Sequence, residues 1–391
     1  MILYLLFEVT ILFALLKFPE KRITGKIRLI AFGYAVLAFF QIASEASDLQ
    51  VAFEHLNNIK TYGMAYFGTT SVTMSDYFTG KIGLQMYFYI LSWLPVNNFY
   101  SAISIFIIYY CVLYSIHNVS TYYKVDYQTE SKLLALFVLM FDFYDASNGV
   151  RNILAFALFI FFLVRELYTD KRSVISWIMY AVSFSIHPAV GVLLLVRLFL
   201  FVKRKSLKCI IGIGMVLWSL GLTGIAEVLS SFTSIPLFSS LHSKIISYSL
   251  VQGTNSNFDS FNTSKSYLMM RNFRILFLIC LLIILYMLWR RGKITTMVSS
   301  FCFYLTAFSI GASAANIATN VLTRYSYCLI MICPLLYIEY MEFVERKITV
   351  LFGNFKCDLP FLLLLVCTAL FNVYMYIYHY IVMEFGFVFY I

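Results

Sequence analysis

The chain has 391 residues, of which 61% are hydrophobic and 12% charged, and its mean hydropathy is +0.83. So much apolar surface has no water-compatible arrangement in a soluble globular protein, so the composition predicts an integral membrane protein. The net charge is +10, but Lys and Arg fall mostly in short tracts between apolar runs, where such residues set membrane orientation. This pattern argues against a nucleic-acid partner.

The eight cysteines lie mostly inside apolar runs and show no paired spacing. A disulfide framework or a structural metal site needs regularly spaced pairs of ligands. The sequence therefore predicts neither a disulfide framework nor a bound metal, and no cofactor.

Five basic tracts lie in short connections and are predicted to be cytoplasmic by the positive-inside rule. They are Lys17 to Arg28, Lys171 and Arg172, Lys203 to Lys208, Arg290 to Lys293, and Arg346 with Lys347. With the apolar runs between them, they predict an all-α helical bundle that forms a single integral membrane domain over residues 1–391. The bundle would have about 10–12 transmembrane segments and external loops at residues 45–81 and 230–270.

The apolar runs give the predicted helices in chain order. They are Ile2–Leu16, Ile27–Ser44, Ile82–Leu94, Phe99–Ile116, Leu133–Phe143, Arg151–Tyr168, two arms within Ser173–Val202, Cys209–Leu229, Arg271–Trp289, Ile294–Ala315, Leu322–Tyr340 and Leu359–Tyr380. Each crossing changes the side of the membrane, and the helix Arg151–Tyr168 must end at the cytoplasmic tract of Lys171 and Arg172. The start of this helix is therefore predicted to be external and the loop from Asn118 to Lys132 internal. Ile82–Leu94 reaches only about 20 Å, so it is predicted to be a re-entrant or interfacial half-helix.

Residues Ser173 to Val202 connect two basic tracts that are both predicted to be cytoplasmic. A single helix would place its ends on opposite sides of the membrane. The segment is therefore predicted to be a hairpin of two short helices that meet near His187 and Pro188, because proline disfavours helical geometry at the residue before it.

Five ionisable residues fall at the predicted external ends of these segments: Arg151, His187, Arg271, Arg274 and Arg324. Guanidinium groups bind phosphate oxygens through a fixed fork, so their position suits an outer-leaflet lipid diphosphate. Structural roles are the alternatives. Arg151 would pair with Asp142 or Asp145, Arg271 and Arg274 would reach lipid headgroups, and His187 would hydrogen-bond between helices.

Three short motifs occur in order along the chain. They are G-x-R-N-x-L-A-x-A-L-F from Gly149, F-S-I-H-P-A-V from Phe184, and T-R-Y-S-Y from Thr323 with Pro334 following. This pattern resembles the EpsG-like branch of the Wzy-type polysaccharide polymerases. The chain departs from that family at Asn152 and Pro188, and it has Lys81-Ile82-Gly83 where the family has an acidic landmark.

The resemblance implies a bacterial inner-membrane glycosyltransferase that needs no metal and makes O-antigen, capsule or exopolysaccharide. It would transfer the glycan from undecaprenyl diphosphate to a sugar hydroxyl of another lipid-linked unit at the outer face, beside a flippase and a chain-length regulator. Arg151 and Arg324 would bind the diphosphate, with Arg271 and Arg274 as secondary contacts. His187 would orient or deprotonate the acceptor, and Asp76 and Asp145 are the alternative bases.

Two other functions stay open. Another lipid-phosphate glycosyltransferase or ligase would use the same donor at the same face. A lipid-linked oligosaccharide flippase would also carry cationic residues in its membrane region, but along a path reachable from both sides.

Overall fold

The computed structural model describes residues 2–17, 23–43, 47–68, 77–169, 174–220, 265–290, 297–314, 319–341, 347–350, 353–356 and 359–382. Apart from one short hairpin, the regular structure of these residues is helical, which confirms the predicted helical class.

The helices are α1 Ile2–Lys17, α2 Ile23–Phe39, α3 Asp48–Tyr62, α4 Ile82–Ser92, α5 Asn98–Tyr122, α6 Tyr127–Met140, α7 Phe143–Asn148, α8 Val150–Val164, α9 Val174–Ile186, α10 Val190–Phe199, α11 Lys205–Leu220, α12 Lys265–Arg290, α13 Met297–Ala314, α14 Thr319–Met341 and α15 Leu359–Val382. A 3-10 turn, Gly63–Gly68, follows α3, and a π-helical turn, Arg165–Thr169, extends α8. Strands β1 Lys347–Val350 and β2 Gly353–Lys356 pair antiparallel.

The structure corrects three predicted connections. The loop at residues 45–81 contains α3 and the 3-10 turn, because a capped amphipathic sequence lies within it. The internal loop predicted from Asn118 to Lys132 shrinks to Tyr123–Asp126, since α5 continues to Tyr122 and the Asp126 carboxylate caps α6. The loop at residues 230–270 ends where α12 begins at Lys265, and its residues up to 264 lie outside the described part of the chain.

The predicted break near His187 is present, because α9 ends at Ile186 and α10 begins at Val190. The half-helix predicted from Ile82 is α4, whose 11 residues span about 16 Å. The reversal of direction at the break and the re-entrant position of α4 stay predictions.

The chain divides into two compact units. The first comprises Met1–Val192 with Cys333–Ile338 and Asn372–Ile391, and the second comprises Leu193–Ile332 with Glu339–Phe371. The single membrane domain stays a prediction.

The core of the first unit is built on α2 and α5, which run antiparallel. The rings of Tyr34 and Tyr109 stack with centroids 3.9 Å apart, and the Asn98 amide donates to the carbonyl of Phe39 at 2.6 Å. Helix α8 packs on α5, α9 packs on α8, and α1 packs on α6. The Asn97 amide, just before α5, donates to the Asn57 side chain of α3 at 2.8 Å. The end of α2, the beginning of α5 and the helix α3 therefore lie at one end of the unit, which we call the Asn98 end.

The opposite end of the first unit gathers the other helix termini. Tyr122 lies against Tyr168, with ring centroids 5.1 Å apart, and the His117 Nδ1 contacts the Glu130 carboxylate at 2.7 Å. The end of α5 and the π-helical turn after α8 therefore lie together, opposite to the Asn98 end.

The second unit packs α11 and α12 against α13. Gly311 permits the close approach of α11, because a Cβ at this position would lie 2.5 Å from the carbonyl oxygen of Val216. The Lys208 ammonium is buried and donates to the Ser300 hydroxyl at 2.6 Å.

Two described helical segments are long and apolar enough to cross a membrane, Asn98–Tyr122 and Asn272–Arg290. Other apolar helices have 10–17 residues, fewer than the roughly 20 that cross the hydrocarbon layer unaided.

Candidate functional site

The candidate site lies at the Asn98 end of the first unit and is centred on Arg151. The Cζ of Arg151 lies 3.7 Å from the centroid of the Tyr77 ring, a close cation–π contact. Its Nη2 lies 3.6 Å from Oδ2 of Asp48, which is too long for a hydrogen bond. Among the described residues the guanidinium donates no hydrogen bond, so the ring fixes its plane while its N–H edge stays available.

Helix α3 brings Asp48 to the site. The Ser47 hydroxyl accepts from the Gln50 amide at 3.2 Å and caps the helix, so Asp48 lies in the first turn, where a carboxylate is favoured. The buried face of the helix consists of Leu49, Ala52, His55, Leu56 and Ile59, at helical spacing. The Asp48 side chain keeps 60% of its surface exposed, against 19% for Arg151.

Lys81, at the start of α4, contacts both the backbone and the ring of Tyr77. The Lys81 ammonium, 4% exposed, donates to the Tyr77 carbonyl at 2.6 Å and lies 5.9 Å from the centroid of its ring. The Tyr77 hydroxyl is buried and has no hydrogen-bond partner among the described residues. Burial raises the pKa of Tyr77 to about 12, against the opposing effect of Arg151, so the hydroxyl keeps its proton at neutral pH.

His55 lies on the same ring, with centroids 4.2 Å apart. The Tyr66 oxygen accepts from the Asn58 amide at 3.1 Å and lies 2.8 Å from the His55 Nδ1, a hydrogen bond in which either group can be the donor. Burial, and secondly the nearby Arg151, lower the pKa of His55 to about 4, so the ring is neutral at physiological pH.

His187 closes the break between α9 and α10. Its Nδ1 accepts from the backbone N–H of Ala189 at 3.1 Å, which leaves Nε2 as the protonated nitrogen of the neutral ring. The ring is buried at 7% exposure. In this state it serves as a hydrogen-bond donor and not as a proton acceptor.

The break is connected to the Arg151 site through α4. A Cβ on Gly83 would lie 2.1 Å from the Ser185 hydroxyl, so only glycine lets α4 approach α9 this closely. Ser185 precedes the break by two residues, and Lys81 at the start of α4 bonds Tyr77. Thus the structure brings Arg151 and His187 to the same end of the unit.

The remaining predicted site residues lie elsewhere. In the second unit the Arg274 guanidinium is buried and donates to the Tyr327 hydroxyl at 3.0 Å. Tyr327 is three residues after the half-buried Arg324 and shares its helix face. Arg271 lies in α12 one turn before Arg274.

The two predicted bases differ in what the structure describes. Asp145 lies in α7, where its carbonyl accepts from the Gly149 amide at 2.8 Å and ends that short helix just before Arg151. Asp76 lies outside the described residues. The ion pair of Arg151 is made with Asp48, whereas the sequence alternatives were Asp142 and Asp145.

Comparison with protein-family models, curated proteins and solved structures gave no match.

The sequence predicted Arg151 and His187 as site residues but did not predict the residues that surround them in the structure. Asp48, His55 and Tyr77 fall in a stretch that was predicted to be a loop, and Lys81 was noted only as a departure from an acidic landmark. The missed signal was Ser47 followed by apolar residues at positions 49, 52, 56 and 59, which is the pattern of a capped amphipathic helix.

This arrangement suits an oxyanion. The Arg151 guanidinium, the protonated Tyr77 hydroxyl and the Nε2 of the neutral His187 ring are all hydrogen-bond donors. One exposed carboxylate opposes them, at the first turn of a helix that contacts the rest of the unit mainly through its apolar face.

Proposed function

We propose that the chain is a polytopic enzyme of the bacterial cytoplasmic membrane that polymerises lipid-linked oligosaccharide repeat units on the outer face. It transfers the glycan from undecaprenyl diphosphate to a sugar hydroxyl of another lipid-linked unit. The observation that carries this proposal is the Arg151 guanidinium, which the Tyr77 ring orients at 3.7 Å while its N–H edge makes no hydrogen bond among the described residues.

In the proposed reaction, the acceptor oxygen bonds to the anomeric carbon as the bond from that carbon to the diphosphate oxygen breaks. The departing diphosphate gains negative charge, and a guanidinium already in position stabilises that charge without reorganisation. The acceptor hydroxyl loses its proton to a carboxylate, for which Asp145 and Asp76 remain the candidates. His187 orients the acceptor by donating from Nε2, because its Nδ1 is already bonded to the Ala189 amide.

The membrane setting is supported by the apolar composition and by the two long apolar helices. The arrangement of the first unit also agrees with the predicted orientation. The termini that the basic tracts assign to the outside, namely the end of α2 and the beginnings of α5 and α8, share the Asn98 end with helix α3. The phosphate-binding roles of Arg271, Arg274 and Arg324 stay predictions.

The test uses cells in which the gene is deleted and restored on a plasmid. Deletion of a polymerase leaves single repeat units on the cell-surface acceptor, whereas deletion of a flippase leaves no surface glycan and deletion of a ligase leaves long chains on the lipid carrier. We expect single units on deletion and a full polymer ladder on restoration. Normal chain length after deletion would contradict the proposal.

A variant of Arg151 connects the function to the site. Arg151→Lys keeps the charge but loses the planar fork, so we expect polymer formation to fall about a hundredfold, as for loss of one preorganised donor. Arg28→Lys, at an exposed position in the predicted cytoplasmic tract, is the matched control and should support normal polymer. Both variants should accumulate equally in the membrane, and normal polymer from Arg151→Lys would remove this residue from the site.

A further inference from the structure

The Tyr77 side chain offers two groups to this site, its ring face and its hydroxyl. Its ring lies under the Arg151 guanidinium, and only 9% of its surface is exposed. The same side chain ends in a buried hydroxyl that has no hydrogen-bond partner among the described residues. Buried polar groups in folded proteins are nearly always bonded, so a hydroxyl and a guanidinium edge that both lack a hydrogen bond to the described residues point to a ligand that satisfies both.

We propose that Tyr77 is the second ligand of the oxyanion that Arg151 binds. Its ring face holds the guanidinium, and its hydroxyl donates a hydrogen bond to an oxygen of the same phosphate group. This inference rests on the proposed function insofar as Arg151 binds a phosphate, and it adds a residue that no sequence motif marks.

The charges around Tyr77 favour an anion there. The Lys81 ammonium lies 5.9 Å from the ring centroid and is fixed to the Tyr77 backbone. The neutral His55 ring adds no opposing charge. The opposing group is Asp48, whose exposed carboxylate contacts Arg151 at 3.6 Å. This contact is too long for a hydrogen bond, so the carboxylate opposes an anion only weakly.

The ligand class is a phosphate or diphosphate oxyanion, which offers several oxygens to an arginine fork and to a separate hydroxyl at the same time. Such a group can come from a polyprenyl diphosphate in the bilayer or from free inorganic pyrophosphate. Both share the chemistry that the site recognises, and they differ only in the lipid tail.

The experiment measures binding to the full-length protein in lipid nanodiscs. The probes are inorganic pyrophosphate and undecaprenyl diphosphate, followed by calorimetry and by the rise in melting temperature. For the wild type we expect both to bind, and the tighter probe identifies the source of the ligand. Tyr77→Phe keeps the ring but loses the donor, so we expect its dissociation constants to rise about tenfold or more, as for a lost hydrogen bond to a charged group. Tyr77→Leu also loses the platform for Arg151 and should weaken binding further.

Tyr77→Phe carries its own check on folding. Removal of an unbonded buried hydroxyl leaves the ring contacts with His55, Phe78 and Phe88 in place, so the ligand-free melting temperature should stay equal or rise. Tyr62→Phe changes a tyrosine that is 63% exposed in α3, and it should bind like the wild type. Weaker binding together with unchanged stability supports a ligand role and excludes a purely structural one.

The possible failures are distinguishable. If Arg151→Lys weakens binding of either probe while Tyr77→Phe binds both as tightly as the wild type, the inference about Tyr77 is wrong and the Arg151 site stands. If the wild type binds neither probe, the phosphate site at Arg151 and the role of Tyr77 as its second ligand are both wrong. If binding depends on Tyr77 but the cells make polymer of normal length without the gene, the phosphate site stands and the polymerase function fails.

Discussion

The Tyr77 ring contacts the Arg151 guanidinium, whose N–H groups make no hydrogen bond to the described residues. Stacking on Tyr77 fixes the guanidinium plane without consuming its donors, and the 3.6 Å contact with Asp48 is weak because that carboxylate is mostly exposed. A residue bound tightly by buried carboxylates would have to break those bonds before it could bind phosphate. Arg151 has no such cost, which is the property expected of a preorganised anion ligand.

His187 has a structural and a proposed functional role, and two variants separate them. His187→Ala removes the acceptor for the Ala189 amide, so we expect the first turn of α10 to exchange its amide hydrogens faster. His187→Asn keeps a short acceptor at the same place and should restore that protection, because asparagine caps such turns well. It lacks the Nε2 donor, so we expect polymer formation to stay reduced by about a hundredfold.

Hydrogen exchange of the segment from residue 187 to residue 196 and polymer length in cells are the two readouts. If His187→Asn restores both protection and polymer, His187 is only a helix cap. That result would remove it from the proposed reaction.

At the scale of elements, α3 is a covering helix whose apolar face lies on the first unit and whose first turn supplies Asp48. Lateral contacts fix the helix near its last turns, where the Lys60 ammonium donates to the Asn97 side chain at 2.8 Å. Its inner face also carries the neutral His55, so the docking of α3 is linked to pH.

We predict that acid loosens α3. The pKa of His55 is about 4 in the fold against about 6.5 when it is free, so the undocked helix binds more protons between these values. The docked state is therefore fully stable above about pH 6.5 and loses stability as the pH falls toward 4.

Hydrogen exchange of residues 49–62, corrected for the intrinsic effect of pH, measures this change. His55→Gln has no titrating group at this position and should show little pH dependence. Equal protection of α3 at both pH values in the wild type would contradict the prediction.

The contact between α4 and α9 depends on Gly83. An added Cβ would meet the Ser185 hydroxyl at 2.1 Å and its carbonyl carbon at 3.3 Å, so Gly83→Ala forces the helices apart. We expect a cost of about 1–3 kcal/mol and a fall of several degrees in the melting temperature of the solubilised protein.

Two further variants test the cause of that fall. Ser185→Gly in the Gly83→Ala background removes the clashing side chain and should recover part of the loss. Gly25→Ala, in α2 with open space around it, should be neutral or slightly stabilising. A Gly83→Ala protein as stable as the wild type would show that the helices are not in close contact.

The sequence predicted most helices because apolar runs and basic tracts mark them directly. It placed the break at His187 because proline acts locally on the preceding residue. It missed α3, whose polar exposed face lowers its mean hydropathy, and the hairpin of β1 and β2, whose four-residue strands carry little pattern. The partners of Arg151 were missed for a related reason: Asp48 and Tyr77 are distant from it in sequence and meet it only through the packing of α3 and α4.

At the scale of the whole molecule, the described structure is two helical units, and the proposed site belongs to the first. The end of α2 and the beginning of α5 lie together at the Asn98 end, opposite to Tyr122 and Tyr168. In our proposal the Asn98 end faces the outer leaflet, where the lipid-linked units are located after they have been flipped across the membrane. Arg151 would then meet the diphosphate at the level of the lipid headgroups.

The central claim is that this chain joins lipid-linked units through Arg151. The most direct test reconstitutes the purified full-length protein with the lipid-linked repeat units that accumulate in cells lacking the gene, and it resolves the products by length. We predict a ladder of longer glycans from the wild type and from Arg28→Lys, and almost only the starting unit from Arg151→Lys. A folded wild-type protein that leaves the units unchanged, or an Arg151→Lys protein that makes the same ladder as the wild type, would contradict the claim.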